Sequence, residues 1–136
     1  MPAKAEPRPT PESLPYWQAA ESGELRLPWC ATTGRCFFPP RQYSPFVAGG
    51  AVDWVTASGR ARLYSYVISH RAAPGFEDEV PYVLAVVELA EGPRMMTNIV
   101  DVDPTPESLE LDMPLVVRFR QQGERVVPVF APEAAS

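Results

Sequence analysis

The chain has few of the side chains from which catalytic and metal sites are usually built. Its 136 residues include one histidine, His70, and two cysteines, Cys30 and Cys36. A Ser-His-Asp or Cys-His constellation would need His70, and a single histidine at the end of a predicted strand is more often structural than catalytic. No glycine-rich phosphate loop and no HExxH zinc motif is present. The sequence therefore predicts that this chain alone is not an enzyme.

Long hydrophobic runs and excess positive charge are also missing. No window approaches the roughly 18 apolar residues of a transmembrane span, and the first residues lack the apolar region of a secretory signal. We therefore expect a cytoplasmic protein that does not bind membranes and whose cysteines are reduced, although the spacing of Cys30 and Cys36 also allows a disulfide. The net charge of −5 and the lack of alternating basic and aromatic residues in the predicted strands argue against nucleic-acid binding.

Proline, by contrast, is abundant, with 17 residues against a usual share of about 5%. Because proline is excluded from helix interiors and central strands, we expect short strands, many loops and little helix. A hydrophobic fraction of 46% is enough for a globular core, and the length fits about one domain with a small appendage. The predicted class is therefore mainly β.

Three segments follow from the pattern along the chain. Residues 1–12 hold four prolines and predict a flexible tail. Residues 13–50 begin with a short helix from Leu14 to Ser22, which Ser13 can cap. Residues 51–132 consist of β-prone runs separated by turn residues, which predicts strands. The predicted strands are 52–69 with an interruption at Ser58-Gly59, 80–89 and 94–100 as a hairpin, 115–120, and 126–130 at an edge because of Pro128. Five short strands favour a closed OB-fold barrel, with a two-sheet sandwich as the alternative.

Basic residues are concentrated in one part of this acidic chain. Residues 35–71 contain five arginines and a single acidic residue, Asp53. Arginine suits forked contacts with phosphate and carboxylate groups, so this segment could bind an anion such as the phosphates of a nucleotide-like cofactor. The candidates for such a site are Arg41, Arg60, Arg62 and Arg71. The alternative is a solvated rim of arginines that do not converge in space.

The predicted helix has an apolar face formed by Tyr16, Trp17 and Ala20. A helix this short is not stable alone, so its apolar face must pack against another surface. That surface is either the rest of its own domain or a partner chain, since aromatic residues are favoured interface anchors.

The next segment, CATTGRCFFPPRQYSPFVAGG at 30–50, has the spacing of a metal site without most of the ligands. A zinc ribbon needs four ligands in two knuckles, commonly Cys-x2-Cys twice. With Cys30 as the first ligand, the other three positions hold Thr33, Ser44 and Val47. Cys36 lies between the knuckles and cannot replace the missing ligands. The residues present therefore predict that no metal binds here.

Several short motifs nevertheless follow one another in a specific order. They are PYWQAAESGEL at 15–25, Cys30 with Thr33-Gly34-Arg35, Phe38-Pro39-Pro40-Arg41, Ser44-Pro45-Phe46-Val47, the segment 54–61 beginning with Trp54, His70-Arg71, Pro81-Tyr82 and EGPRMMTN at 91–98. In this order and spacing they resemble the acyl-CoA-associated proteins that join a rubredoxin-like zinc ribbon to an OB fold, a family long classed as a domain of unknown function. The resemblance covers residues 14 to about 132.

The resemblance implies a role beside another enzyme. Members of that family accompany thiolase-like proteins, including thiolases and the aldolases that cleave side chains of steroid acyl-CoA esters, and the catalytic residues lie in the partner. The expected function is a non-catalytic subunit of a hetero-oligomer, such as a heterotetramer, that stabilises the thiolase-like enzyme and helps to hold the CoA ester. A free-standing acyl-CoA-binding OB module is the alternative. The sequence does not distinguish aldol cleavage from thiolysis.

The departure from the family pattern is the set of lost ligands. Zinc is therefore not carried over, and the only ligand that the resemblance allows is a CoA ester. The shape of the degenerate ribbon can persist through the packing of Phe37, Phe38, Tyr43 and Phe46. The expected partner interface consists of Tyr16, Trp17, Phe37, Phe38 and Phe46.

Overall fold

The computed structural model of this chain describes residues 6–133 and divides them between a small N-terminal sheet and a closed barrel. Residues 1–5 of the predicted tail lie outside this range. The elements are helix α1 (Leu14–Glu21) and strands β1 (Arg26–Cys30), β2 (Arg35–Cys36), β3 (Val52–Thr56), β4 (Arg60–Ser69), β5 (Tyr82–Leu89), β6 (Arg94–Ile99), β7 (Pro114–Gln122) and β8 (Arg125–Pro132). Within the described residues, no helix is long and apolar enough to cross a membrane.

Helix α1 begins directly after Ser13 and ends before Gly23. Pro15 is tolerated in the first turn because the first N–H groups of a helix have no partner within it. Gly23 adopts a φ of 77°, and its N–H donates to Ala20 O at 3.0 Å, which ends the helix. The predicted cap does not form, because the Ser13 hydroxyl accepts a hydrogen bond from Thr10 N at 2.9 Å instead of from a helix N–H.

The N-terminal sheet has β1 at its centre, with β2 and β3 antiparallel on either side. The β1–β3 ladder extends from Arg26 opposite Thr56 to Cys30 opposite Val52. The predicted interruption at Ser58-Gly59 is confirmed, but the assignment of its two sides to one long strand is wrong, because β3 and β4 belong to different sheets. The chain passes from one sheet to the other at Gly59, which adopts a φ of 84°. Only glycine adopts this conformation at low cost.

Strands β4 to β8 form the closed barrel in the order β4-β5-β6-β8-β7. The predicted hairpin of β5 and β6 is confirmed, with Glu88 opposite Arg94 beside the turn. Strands β6 and β8 close the barrel as a parallel pair at Ile99 and Phe130, where Val100 N donates to Phe130 O at 2.8 Å. The mainly β class and the five-stranded OB-fold barrel predicted from the sequence are thereby confirmed.

Pro128 lies within β8, which is flanked by β6 and β7 in the closed barrel. The prediction of an edge position for this strand is therefore wrong. The proline is tolerated because β6 pairs with β8 only at Ile99 and Phe130, so Pro128 has no ladder with β6 to interrupt. Its carbonyl accepts a hydrogen bond from Thr97 Oγ1 at 3.3 Å.

One apolar core connects the N-terminal elements with the barrel. It includes Tyr16, Leu25 and Leu27 from the first part of the chain and Leu63, Val87, Leu115 and Phe130 from the barrel. Burial of a side chain of this size contributes about 1.5–3 kcal/mol. The apolar face of α1 therefore packs on its own chain through Tyr16, which is one of the two alternatives that the sequence left open.

Candidate functional site

The two loops at the end of the N-terminal sheet bring together the positions that align with zinc-ribbon ligands. Cys30, the last residue of β1, is fully buried. Thr33 N donates to Cys30 Sγ at 3.4 Å, and Gly34 N donates to Cys30 O at 2.8 Å. The residues from Cys30 to Gly34 thus form a tight turn around the sulfur atom. This turn has the backbone shape of a ligand knuckle, although Thr33 offers no thiol.

The second loop folds in the same manner around Ser44, a buried polar residue. Phe46 N donates to Ser44 Oγ at 3.0 Å, and Ser44 N donates to Gly50 O at 3.1 Å. A Cβ placed on Gly50 would lie 3.0 Å from Ser44 Cβ and 3.4 Å from Val47 Cβ. Ser44 and Val47 therefore present their side chains on the same side of the loop, close to one point.

Cys30, Thr33 and Ser44 form a small polar cluster around the Cys30 sulfur. The side chains of Ser44 and then Thr33 lower the pKa of this thiol to about 7, while burial acts in the opposite direction. One thiol, two hydroxyls and the valine at position 47 do not form a zinc ligand set, because structural zinc takes four nitrogen, sulfur or carboxylate ligands. Within residues 6–133, no group of three or more His, Cys, Asp or Glu side chains is placed to hold a metal ion.

Cys36, the other cysteine, is half-buried at the end of β2 and has a different environment. Burial, and then the negative charge of Glu91, raise the pKa of its thiol. The Glu91 carboxylate also accepts a hydrogen bond from Ser58 N at 2.9 Å, so the β5–β6 turn is tied to the segment that connects the two sheets. The structure shows Cys36 as a free thiol, like Cys30.

These two environments predict the reactivity of the thiols. At pH 8, 5,5′-dithiobis(2-nitrobenzoic acid) is expected to modify the native protein slowly and only at Cys36, because Cys30 is inaccessible and the raised pKa of Cys36 leaves little thiolate. Both thiols should react once the protein is unfolded. Cys36→Ala is the control and should leave no reactive thiol in the native state. Rapid modification of two thiols before unfolding would contradict the burial of Cys30.

The four arginines predicted as an anion site do not come together. Arg60 pairs with Glu133 at 3.4 Å, and Arg62 pairs with Glu88. Arg71 follows the opposite end of β4 from Arg60, and the strand between them is about 30 Å long at 3.3 Å per residue. Arg41 lines a separate recess beside α1 with Glu12 and Trp54, among other residues. The structure therefore favours the solvated rim over the anion site, because an extended strand separates its residues in space.

Glu88 lies at the centre of a charged cluster on the outer face of the barrel. Hydrogen bonds from Arg62 and then Arg94 lower the pKa of the Glu88 carboxyl. The Arg94 guanidinium also stacks over the Tyr64 ring at 3.8 Å from its centroid. Both arginine charges are thus already engaged within the chain, which leaves this cluster as a rigid polar rim. His70, which follows β4 at its far end, is exposed to solvent.

The five aromatic residues predicted as a partner interface fall into two groups. Tyr16 and Phe37 are each only 4% exposed and belong to the chain's own interior. Their assignment to the interface is therefore not supported by their position. Trp17 and Phe38 are half-buried, and Phe46 is 37% exposed, so part of each of these side chains is accessible to a partner.

Trp17 and Phe38 line a groove of about 380 Å³ between α1 and the outer face of the barrel. Leu84 and Met96 form part of the opposite wall. The groove continues into an apolar patch, because Leu84 lies opposite Val67 in the β4–β5 ladder and Met96 lies opposite Val86 in the β5–β6 ladder. Residues paired in this way share one face of a sheet. Met96 is 74% exposed and Val67 is 60% exposed.

Sequence reasoning did not identify this patch, although a signal was present. Strand β5 has the sequence YVLAVVEL, with apolar residues at both its inward-facing and its outward-facing positions. Such a strand is apolar on both faces, and in a small barrel only one of these faces can point to the core. Val83, Ala85 and Val87 point inward and are buried, so Leu84 and Val86 are left on the outside.

A second cavity, of about 270 Å³, opens at the end of the barrel between the loop before β5 and the end of β6. Its wall is mostly apolar and includes Phe76, Tyr82 and Ile99. Arg120, one of its polar side chains, donates from Nη2 to Asn98 Oδ1 and to Gln122 Oε1, both at 3.1 Å. Burial lowers the pKa of Arg120, but these hydrogen bonds mark it as a structural arginine of the β6–β7 region.

Comparison with known proteins gives a consistent result. The family model for the C-terminal OB-fold domain of ChsH2 matches residues 54–120. A DUF35 domain-containing scaffold protein of Methanothermobacter thermautotrophicus is 36% identical over 97 residues, which cover 70% of this chain and 73% of that protein. A probable enoyl-CoA hydratase alpha subunit of Thermomonospora curvata is 36% identical over 121 residues, which are 86% of this chain but only 36% of the longer relative.

Among solved structures, a chain of the Ltp2-ChsH2(DUF35) aldolase superposes on this one with a TM-score of 0.81 at 32% identity. The match covers 93% of this chain and 98% of the other. The likeness therefore includes the N-terminal sheet and the barrel together.

Proposed function

Since this chain belongs to the DUF35 family and shares the OB-fold domain of ChsH2, we propose that it is a non-catalytic accessory subunit of an acyl-CoA enzyme. The observation that carries this proposal is the likeness, over 98% of the other chain, to a component of the Ltp2-ChsH2(DUF35) aldolase. The name of that aldolase joins ChsH2(DUF35) with a second protein. The partner of the present chain is a thiolase-like enzyme, and the two chains form a hetero-oligomer in the cytoplasm, a heterotetramer in the simplest case.

The chemistry of the described residues supports a subunit that leaves catalysis to its partner. His70 is exposed beyond the end of β4, and Cys30 is inaccessible. General acid–base and nucleophilic catalysis both need such groups within hydrogen-bonding reach of one another at an accessible site. The reaction of the complex is the cleavage of a carbon–carbon bond in an acyl-CoA ester, by aldol cleavage of a steroid-type side chain or by thiolysis.

The role of this chain is to stabilise the partner and to complete the binding site for the CoA ester in the assembled complex. Of the arginines that a free-standing acyl-CoA binder would use, Arg60 and Arg62 are engaged with carboxylates of the chain itself, and Arg41 and Arg71 lie apart from them. Within residues 6–133 these arginines therefore do not form a preformed phosphate site, and the accessory role is the better supported of the two functions.

The contact with the partner enzyme uses the exposed part of the predicted interface, Trp17, Phe38 and Phe46, together with the groove and the apolar patch. Contiguous exposed apolar surface on a soluble domain commonly marks a protein–protein contact. The occupant is the acyl-CoA enzyme, because the solved relative is named as one component of an aldolase.

Affinity purification from the native lysate tests this function. The tagged chain is expected to retain a thiolase-like protein, identified by mass spectrometry, and the purified pair should elute as one hetero-oligomer. Isothermal titration of the isolated chain with a CoA ester should show no binding. A monodisperse chain that retains no acyl-CoA enzyme would contradict the accessory role, and binding of the CoA ester by the isolated chain would favour the free-standing module instead.

A further inference from the structure

The N-terminal sheet contains two loops with the backbone form of ligand knuckles but without the ligands. In each loop an N–H group points at the side-chain atom that occupies a ligand position, from Thr33 N to Cys30 Sγ at 3.4 Å and from Phe46 N to Ser44 Oγ at 3.0 Å. The side chains of Ser44 and Val47 start close to one point, the position of a Cβ on Gly50. Each loop thus has the backbone form of a ligand knuckle, and the arrangement of the two loops needs something to maintain it.

The two loops meet at Cys30 and Ser44. The hydroxyl of Ser44 lies near enough to the sulfur of Cys30, which belongs to the other loop, to lower the pKa of that thiol, and Thr33 N donates to the same sulfur from its own loop. Ser44 is 7% exposed and Cys30 is 0% exposed. Buried polar groups are costly unless they are paired, so these contacts couple the positions of the two loops.

Aromatic packing supports the same arrangement on one side. The rings of Phe37 and Phe46 meet edge to face with centroids 6.2 Å apart, and the Arg35 guanidinium lies 4.0 Å from the centroid of Phe46. Because Arg35 and Phe37 are in or next to β2, they tie the second loop to the N-terminal sheet. Edge-to-face pairs and cation–π contacts each add a modest stabilisation beyond area burial.

We propose that the buried side chains of Cys30 and Ser44, held by the N–H groups of their own loops, together with the packing of Phe46 on Phe37 and Arg35, replace a metal ion as the link between the two loops, so that this chain folds without zinc. The proposal does not depend on the accessory role, because it concerns the folding of the isolated chain. The same arrangement implies that the two loops could bind a metal ion if the missing ligands were restored. With the backbone already in the form of two knuckles, thiols at positions 33, 44 and 47 would complete a tetrahedral set with Cys30.

The first experiment uses the chain as it is. Atomic emission spectrometry is expected to find no stoichiometric zinc in the purified protein, and EDTA should leave its urea unfolding midpoint unchanged. Ser44→Ala should shift that midpoint to lower urea, because the sulfur and Phe46 N lose their partner. Thr32→Ala, at an exposed position in the first loop, is the matched control and should not shift it. One zinc per chain, a loss of stability in EDTA, or equal midpoints for Ser44→Ala and wild type would each overturn the proposal.

The second experiment tests the convergence of the four positions. The triple variant Thr33→Cys, Ser44→Cys, Val47→Cys is refolded in the presence of Co²⁺, so that metal is available if the variant cannot fold alone. It is expected to bind one Co²⁺ per chain with the visible absorption of tetrahedral thiolate coordination and to become sensitive to EDTA. Val47→Cys alone is the control and should show no such absorption. A refolded triple variant that binds no metal would show that the loops do not form two facing knuckles.

Discussion

Met96→Asp should weaken the complex with the acyl-CoA enzyme about 30-fold or more while the isolated chain keeps its stability. Met96 is 74% exposed at the junction of the groove and the apolar patch, so a carboxylate there costs the free chain little. In the complex the same carboxylate would be desolvated against apolar surface without a partner. A central interface residue contributes about 2 kcal/mol or more, which corresponds to about a 30-fold change in Kd. Biolayer interferometry with the purified partner measures the change.

The control is Leu111→Asp, which places the same charge on an equally accessible apolar residue outside the groove. Leu111 is 63% exposed and should tolerate the substitution without loss of binding. Trp17→Ala should weaken binding as well, since Trp17 lines the groove opposite Met96. If Met96→Asp and Leu111→Asp bind equally well, the groove and patch are not the surface that meets the enzyme, although the accessory role itself would stand on the purification result.

Gly59→Ala is expected to lower the free energy of unfolding by about 2–5 kcal/mol. Gly59 connects the N-terminal sheet to the barrel with a φ of 84°, and left-handed backbone costs other residues about 1–2 kcal/mol. The new Cβ would also lie 2.7 Å from Cγ1 of Val117. Val117 N donates to Gly59 O at 2.8 Å, so the two backbones cannot separate without losing that bond, and overpacking of this kind costs about 1–3 kcal/mol. Urea unfolding measures the total.

Gly23→Ala separates the two contributions. Gly23 has nearly the same backbone, with a φ of 77°, but a Cβ at this position would meet nothing within 4 Å. Gly23→Ala should therefore lower the free energy of unfolding only by the conformational contribution, about 1–2 kcal/mol. If the two variants are destabilised equally, the close approach of Gly59 to Val117 makes no contribution of its own.

Much of the architecture could be predicted because it depends on local patterns. The β5–β6 hairpin follows from two β-prone runs on either side of a short turn, and α1 follows from Pro15 in the first turn and Gly23 after the last. The interruption of the strand predicted over 52–69 is placed correctly at Ser58-Gly59, but the sequence pattern assigns β3 and β4 to one strand because both are β-prone. Their assignment to different sheets depends on the pairing of β3 with β1. Sequence pattern reports strand propensity well and pairing partners poorly.

The candidate site shows the same division. The absence of zinc ligands at positions 33, 44 and 47 is evident from residue types alone. The convergence of those positions and the contact of Ser44 with the sulfur of Cys30 depend on how two loops fold. Of the arginines in the predicted anion site, Arg60 and Arg71 lie at opposite ends of an extended strand, and Arg41 lines a separate recess. The predicted interface included Tyr16 and Phe37, which are buried in the chain's own core.

By itself, the sequence of this protein determined the mainly β class, the positions of most strands, the scarcity of histidine and cysteine and the degenerate ligand set. These features follow from composition, from the period of two along each strand and from the chemistry of individual side chains, all of which are local. Only the tertiary structure decided which aromatic residues remain exposed, where the apolar patch lies, and what links the two loops. Each of these depends on contacts between residues distant in the chain, and such contacts are set by the packing of the N-terminal sheet on the barrel.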